Sequence, residues 1–110
     1  MPNVKLFIDQ TQYGQVEQGV SALLPELRDL LCRTLSVGPG ACQIAVMPVM
    51  GLPDQPPINV EMQLMPKDGR TPDMLRQAGM DLRACLHAAT GLHVAVRISA
   101  LDPASYIALK

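Results

Sequence analysis

Aromatic residues are scarce: Phe7, Tyr13 and Tyr106 make up the whole 3%, and tryptophan is absent. Proteins that bind single-stranded nucleic acid stack bases on aromatic side chains, so that class is disfavoured. Charge is scarce too. Asp, Glu, Lys and Arg together are 17% of the chain, against a usual ~25%. Nine basic and ten acidic residues leave a formal net charge of −1, without the basic excess of a nucleic-acid binder. No apolar run approaches the ~20 residues of a membrane span. The N-terminus has neither the charged nor the apolar region of a signal peptide. Cys32, Cys42 and Cys85 are an odd number set within apolar segments, so free thiols in the cytoplasm are the expectation. Cys85-x-His87 lacks two further ligands for zinc. The serine-elbow, phosphate-loop and H-E-x-x-H motifs are missing as well. Neither metal nor cofactor is expected.

What is present is 48% hydrophobic residues in 110, enough to close one core. The apolar period alternates twice between strand and helix. Asn3 to Ile8 reads as a strand, and Val16 to Leu35 as a helix with a kink or late start at Pro25. Gly38-Pro39-Gly40 stops that helix. Ala41 to Met47 reads as a second strand and Ile58 to Met65 as a third. Thr71-Pro72-Asp73 is a helix start, with a hydroxyl at the N-cap, proline at the first position and an acid in the first turn. That helix runs to about Thr90, where Gly91 ends it. Leu92 to Leu101 is a fourth strand. The chain thus reads as one domain over 1–110, with β-α-β halves over about 2–50 and 56–101 and a tail over 102–110.

Alternation in the strands sorts their residues onto two faces. Val4, Leu6, Ile8, Ile44, Val46, Ile58, Val60, Met62, Leu64, Val94, Val96 and Ile98 share one face, which must lie under the helices. Lys5, Glu61 and Arg97 lie on the other. The fold class is α+β: a four-stranded sheet with both helices on one side and a polar opposite face. Gly79, on the inner side of the second helix, fits a close approach to the sheet. His87 and His93 have no acid at a telling spacing and read as structural or surface residues.

Pro2 stands immediately before the first strand. Initiator methionine is usually removed before so small a residue, which leaves a secondary amine at the strand tip. Desolvation favours the neutral form of an amine, and a neutral amine near pH 7 is a general base. In this N-terminus, in its duplicated β-α-β layout and in its length, the chain resembles the tautomerase superfamily. Gly69-Arg70-Thr71, followed by Leu75-Arg76-Gln77-Ala78-Gly79 and Leu82, is similar to the segment that opens the second helix in 5-carboxymethyl-2-hydroxymuconate isomerases. The layout is also that of macrophage migration inhibitory factor.

The resemblance implies a mixed sheet with each β-α-β pair parallel and adjacent. It also implies a homotrimer with active sites between subunits. The implied activity is that of a keto–enol tautomerase or isomerase, in which Pro2 moves a proton within an enol or unsaturated keto acid. Arg70 matches the family arginine that holds a carboxylate or the developing dienolate, and as a loop residue it is expected to matter little to the fold. Tyr106, in the tail Ser105–Leu109, is expected to help line a neighbour's site. The partners are then a small carboxylate substrate and other copies of the chain, with no nucleic acid and no membrane. The sequence departs from the family at Cys42-Gln43, where the isomerases carry an arginine, and at Val37, where the cytokine has a lysine. The segment Asp9 to Gln15 offers Tyr13 and no arginine. A monoacid or a less polar substrate is therefore expected. Two alternatives stand beside the enzyme: a catalytically silent protein of the same fold, and a ferredoxin-like ligand-binding or oligomerisation module, whose sheet would be antiparallel with interleaved halves.

Overall fold

The computed structural model describes residues 2–110. Strand β1 (Asn3–Asp9) leads into helix α1 (Gln10–Leu35). A single 3-10 turn at Pro39–Ala41 precedes β2 (Gln43–Val49), and β3 (Ile58–Leu64), α2 (Pro72–Thr90) and β4 (Val94–Ala100) follow. The strand order is β2-β1-β3-β4. β1 runs parallel to β2 and antiparallel to β3, and β3 runs parallel to β4. Each β-α-β half therefore forms an adjacent parallel pair, and the halves join back to back through β1 and β3. This arrangement rules out the interleaved antiparallel sheet of a ferredoxin-like module.

The core forms where the helices cover the inner sheet face. Val4, Leu6, Ile8, Ile58, Val60, Met62 and Leu64 meet Val20, Leu27, Leu31 and Leu35 of α1 and Ala78, Leu82 and Leu86 of α2 in one buried cluster. Alternation predicts this face correctly. Of its members on the two edge strands, Val94 is buried, whereas Ile44, Val46, Val96 and Ile98 are only half-buried. Gly79 is buried because α2 lies so close to β4: a Cβ there would sit 3.1 Å from Ile98 Cδ1.

Three elements start elsewhere than the sequence reading expects, and the strand ends shift by one or two residues. Helix α1 begins at Gln10 rather than Val16 and runs unbroken through Pro25. Its N-cap is Asp9, which accepts hydrogen bonds from the Thr11 backbone at 2.9 Å and from the Thr11 hydroxyl at 2.6 Å. These bonds hold the Asp9 carboxyl below the usual carboxylate range. Pro25 is tolerated because it and Ser21, whose carbonyl loses its helical donor, are both exposed, so water takes the freed acceptor. Strand β2 starts two residues late because the 3-10 turn takes up Pro39–Ala41. Strand β4 starts at Val94 because Leu92 is held by the preceding helix end. The His87 Nδ1–H donates to the Leu92 carbonyl at 2.8 Å, and the Leu92 amide donates to the Thr90 hydroxyl at 3.1 Å.

Candidate functional site

Pro2 is buried at the head of β1, one of the two central strands. Its carbonyl accepts from the Gln43 amide at 3.0 Å. The registers pair Asn3 with Gln43 on one side and Gln63 on the other. Continued by one residue, they set Pro2 between Cys42 and Leu64. Alternation puts Pro2 on the same side as Val4, toward the helices. Both flanking residues are buried and apolar in character: Cys42 is 6% exposed and Leu64 1%. Burial, together with the neighbouring Cys32, pushes the Cys42 thiol up to about 11, against a smaller opposing pull from Arg28. Near neutral pH Cys42 is thus a protonated, uncharged neighbour of the proline ring. All three cysteines are free thiols.

The antiparallel β1–β3 pairing brings the loop after β3 to the same end of the sheet, and that loop carries Arg70. Gly69 adopts φ +82, a backbone angle that L side chains rarely take. The turn is closed by the Arg70 amide donating to the Lys67 carbonyl at 3.0 Å. The Arg70 guanidinium then spans two elements. Nη1 donates to the Met65 carbonyl at 2.8 Å and Nη2 to the Leu35 carbonyl, at the end of α1, at 3.0 Å. Its Nε–H is buried without an acceptor. Arg70 is therefore half-buried and bonded into the framework, not the free loop residue that the sequence reading expects. The fork ties the C-terminal end of α1 to the residue after Leu64, beside Pro2.

Strand β4 is parallel to β3, so its tail leaves from this end as well. The Leu101 amide donates to the Leu64 carbonyl at 2.9 Å, and the Tyr106 amide to the Asp102 carbonyl at 2.9 Å. Tyr106 is 43% exposed. β4 lies two strand positions from β1, about 10 Å. Within one chain, Pro2 and Arg70 share a corner, while Tyr106 follows the far edge strand.

One residue near this corner carries no motif in the sequence. Arg28 projects from α1 into a groove of about 510 Å³ at the open edge of β2, lined also by Leu24, Cys42, Gln43 and Ile44. The signal is a lone cation in the helical stripe Leu24–Arg28–Cys32, where spacing by four residues fixes one face. On the uncovered sheet face, Lys5, Glu61 and Arg97 lie side by side in register. A 240 Å³ depression there is lined by Asn3, Lys5, Glu61 and Gln63. Among the described residues, no group of three or more His, Cys, Asp or Glu is placed to hold a metal, and no helix is long and apolar enough to cross a membrane.

No family model matches the sequence, and no curated protein does. The fold does have counterparts among solved structures. A macrophage migration inhibitory factor-like protein from Entamoeba histolytica superposes with a TM-score of 0.74 at 9% identity, over 97% of this chain and 94% of that one. The asymmetric trimer of a fused 4-OT gives 0.73 at 13% identity, over 96% and 91%. A protein of unknown function from Vibrio cholerae O1 biovar eltor gives 0.73 at 17% identity, over 97% and 83%. At these identities it is the architecture that is shared, and this chain has the fold of the tautomerase superfamily.

Proposed function

We propose that this protein is a tautomerase or isomerase in which the amine of Pro2 serves as general base on an enol or unsaturated keto acid. The observation that carries the reading is the position of Pro2: buried at the tip of a central strand, between Cys42 and Leu64, in a fold shared with tautomerase-superfamily proteins. An ammonium group is poorly solvated in such surroundings, so its proton is lost more readily. With Met1 removed, the neutral amine takes a proton from the substrate and returns it at another carbon or oxygen. The electron pair between the two positions shifts to match, and no cofactor is consumed.

Arg70 is the proposed carboxylate holder. Two of its five N–H groups are committed to Met65 and Leu35. Each Nη retains a second hydrogen, and the unpaired Nε–H is a charged donor whose burial costs free energy until an acceptor arrives. Tyr106 completes the proposed site from a neighbouring copy in a homotrimer. The described trimer of the fused 4-OT supports that assembly.

Met1 lies outside the described residues, and its removal is the condition on which the mechanism depends. Intact-mass measurement of the purified protein should show its loss. Pro2→Ala should lower enol–keto turnover of phenylpyruvate-like or 2-hydroxydienoate acids by at least ~100-fold, the low end for a general base. Unchanged turnover would remove Pro2 from the mechanism. Retention of Met1 in cells would favour a catalytically silent protein, a reading to which the missing cation at Cys42-Gln43 already lends weight.

A further inference from the structure

Met80, 49% exposed, is the one large exposed hydrophobic residue on a helix among those described. It stands where two grooves between α2 and the open edge of β4 meet. One, of about 550 Å³, runs past Leu75, Gly79, Val96 and Ile98. The other, of about 520 Å³, runs past His93 and Val94. Met80 and Arg83 line both, so the two form one trough. From Val94 to Ile98 it follows about 13 Å of strand. Its floor is apolar, and Gly79 brings no side chain into the space.

The rim is cationic. Arg76 and Arg83 lie seven residues apart on α2 with Met80 between them, a spacing that puts all three on one helical face. Both arginines are exposed, and among the described residues neither makes a hydrogen bond or ion pair. No acidic side chain lines either groove. Asp73, one turn before Arg76, is not ion-paired with it. Asp81 is turned the other way: it accepts from Gln77 Nε2 at 2.8 Å, and its charge bears on Cys85 together with that of Glu26 from α1. The acid of this helix thus lies toward α1, and the arginines lie over β4.

We propose that this trough binds a free medium-chain monocarboxylate, with the carboxylate on Arg83 and the alkyl chain along Leu75, Val96 and Ile98. The inference is independent of the Pro2 reading. Arg83 takes the head group because it lies where the end holding His93 meets the apolar end. A guanidinium fork matches a carboxylate, and the flexible thioether of Met80 adapts to a chain of no fixed shape. The aliphatic stem of Arg76 borders the path of the chain and covers it. An apolar groove with few polar groups is the usual form of a small-molecule site.

The test is calorimetric titration of decanoate, decanol and butyrate into the purified protein, with backbone amide NMR to place the site. Decanoate should bind saturably and at least tenfold more tightly than decanol, which lacks the charge, or butyrate, which lacks the chain. Its shifts should centre on residues 79–84 and 94–98, and Pro2→Ala should bind it equally well. Glutamine is a good helix former and position 83 is exposed, so Arg83→Gln should fold. Its decanoate Kd should rise at least tenfold, with partial recovery in Arg83→Lys. Met80→Gln should weaken decanoate and leave butyrate unchanged. Equal decanoate affinity in wild-type and Arg83→Gln protein overturns the assignment and marks an arginine whose stem only covers the apolar edge. So does decanol binding as tightly as decanoate. Shifts centred on residues 42–45 and 70 would move the acid to the Pro2 corner and overturn it as well. Binding to anionic lipid vesicles without a response to monomeric decanoate would make this face a membrane surface instead. A particle that shrinks on Met80→Gln and takes no decanoate would make it a contact between copies.

Discussion

Arg70 joins stability and chemistry in a single side chain. Removing it frees the Leu35 and Met65 carbonyls from charged donors at 3.0 and 2.8 Å. A hydrogen bond to a charged group contributes about 1.5–3 kcal/mol, and water recovers part of the loss at these half-buried sites. Arg70→Ala should therefore destabilise the fold by about 2 kcal/mol in urea or thermal unfolding. Assayed well below its midpoint, the variant should also lose roughly 30-fold in kcat/KM on a carboxylate substrate, the equivalent of about 2 kcal/mol at 1.4 kcal/mol per decade. A neutral ester of the same substrate separates the roles. A loss on the acid alone marks carboxylate binding, whereas equal losses on acid and ester mark a residue that only holds the corner in shape. The motif Gly69-Arg70-Thr71 was legible in the sequence, and so was Pro2. The grip of Arg70 on Leu35 was not, because it joins residues 35 positions apart and depends on where α1 ends. Arg28 was missed because it lies between apolar positions that read as core.

The elements show the same division between local and non-local causes. Helix α2 was readable end to end because its stops are chemical. The Met74 amide donates to the Thr71 hydroxyl at 3.2 Å, Pro72 occupies the first turn, and Gly91 closes the helix at φ +71. Thr71→Ala should cost about 1 kcal/mol, several degrees of melting temperature in a chain this size, and Thr71→Ser should restore it. An unchanged melting temperature in Thr71→Ala would show that tertiary packing alone holds this helix end. Helix α1 was harder to read. Its first turns, Gln10-Thr-Gln-Tyr-Gly-Gln, carry no fully buried residue, so the apolar period starts only at Val16. The true start was written in Asp9 and Thr11, which form the cap. The faces of all four strands followed from alternation, because a shift of one residue would turn every core side chain outward. The β2 boundary did not, because it depends on the 3-10 turn at Pro39–Ala41.

The whole chain leaves surfaces that a lone copy does not cover. Both helices lie on one side of the sheet, so the face bearing Lys5, Glu61 and Arg97 is open. The edge strands β2 and β4 are each paired on one side only. Apart from Met80 on α2, the large exposed hydrophobic residues among those described lie in the segments that follow these two edges: Met50 and Leu52 after β2, then Tyr106, Ile107 and Leu109 after β4. Because the two edges differ, contact between the β2 side of one copy and the β4 side of the next is heterologous, and such contacts close only as rings. A ring with the open faces inward would bring the Lys5–Glu61–Arg97 rows of several copies together. It would also carry the tail with Tyr106 toward the neighbouring copy, where the corner of Pro2 lies beside β2. The proposed trimer is one such closed ring, and light scattering at micromolar concentration should report three chains rather than one of 11.9 kDa. Ile107→Asp with Leu109→Asp should shift the particle toward monomer without unfolding it, since neither residue belongs to the buried core. It should also lower turnover if Tyr106 is needed in the neighbour's site. A wild-type monomer at that concentration would sink the assembly, and with it the role of Tyr106. Pro2 and Arg70 belong to a single chain and would remain to be judged by their own measurements.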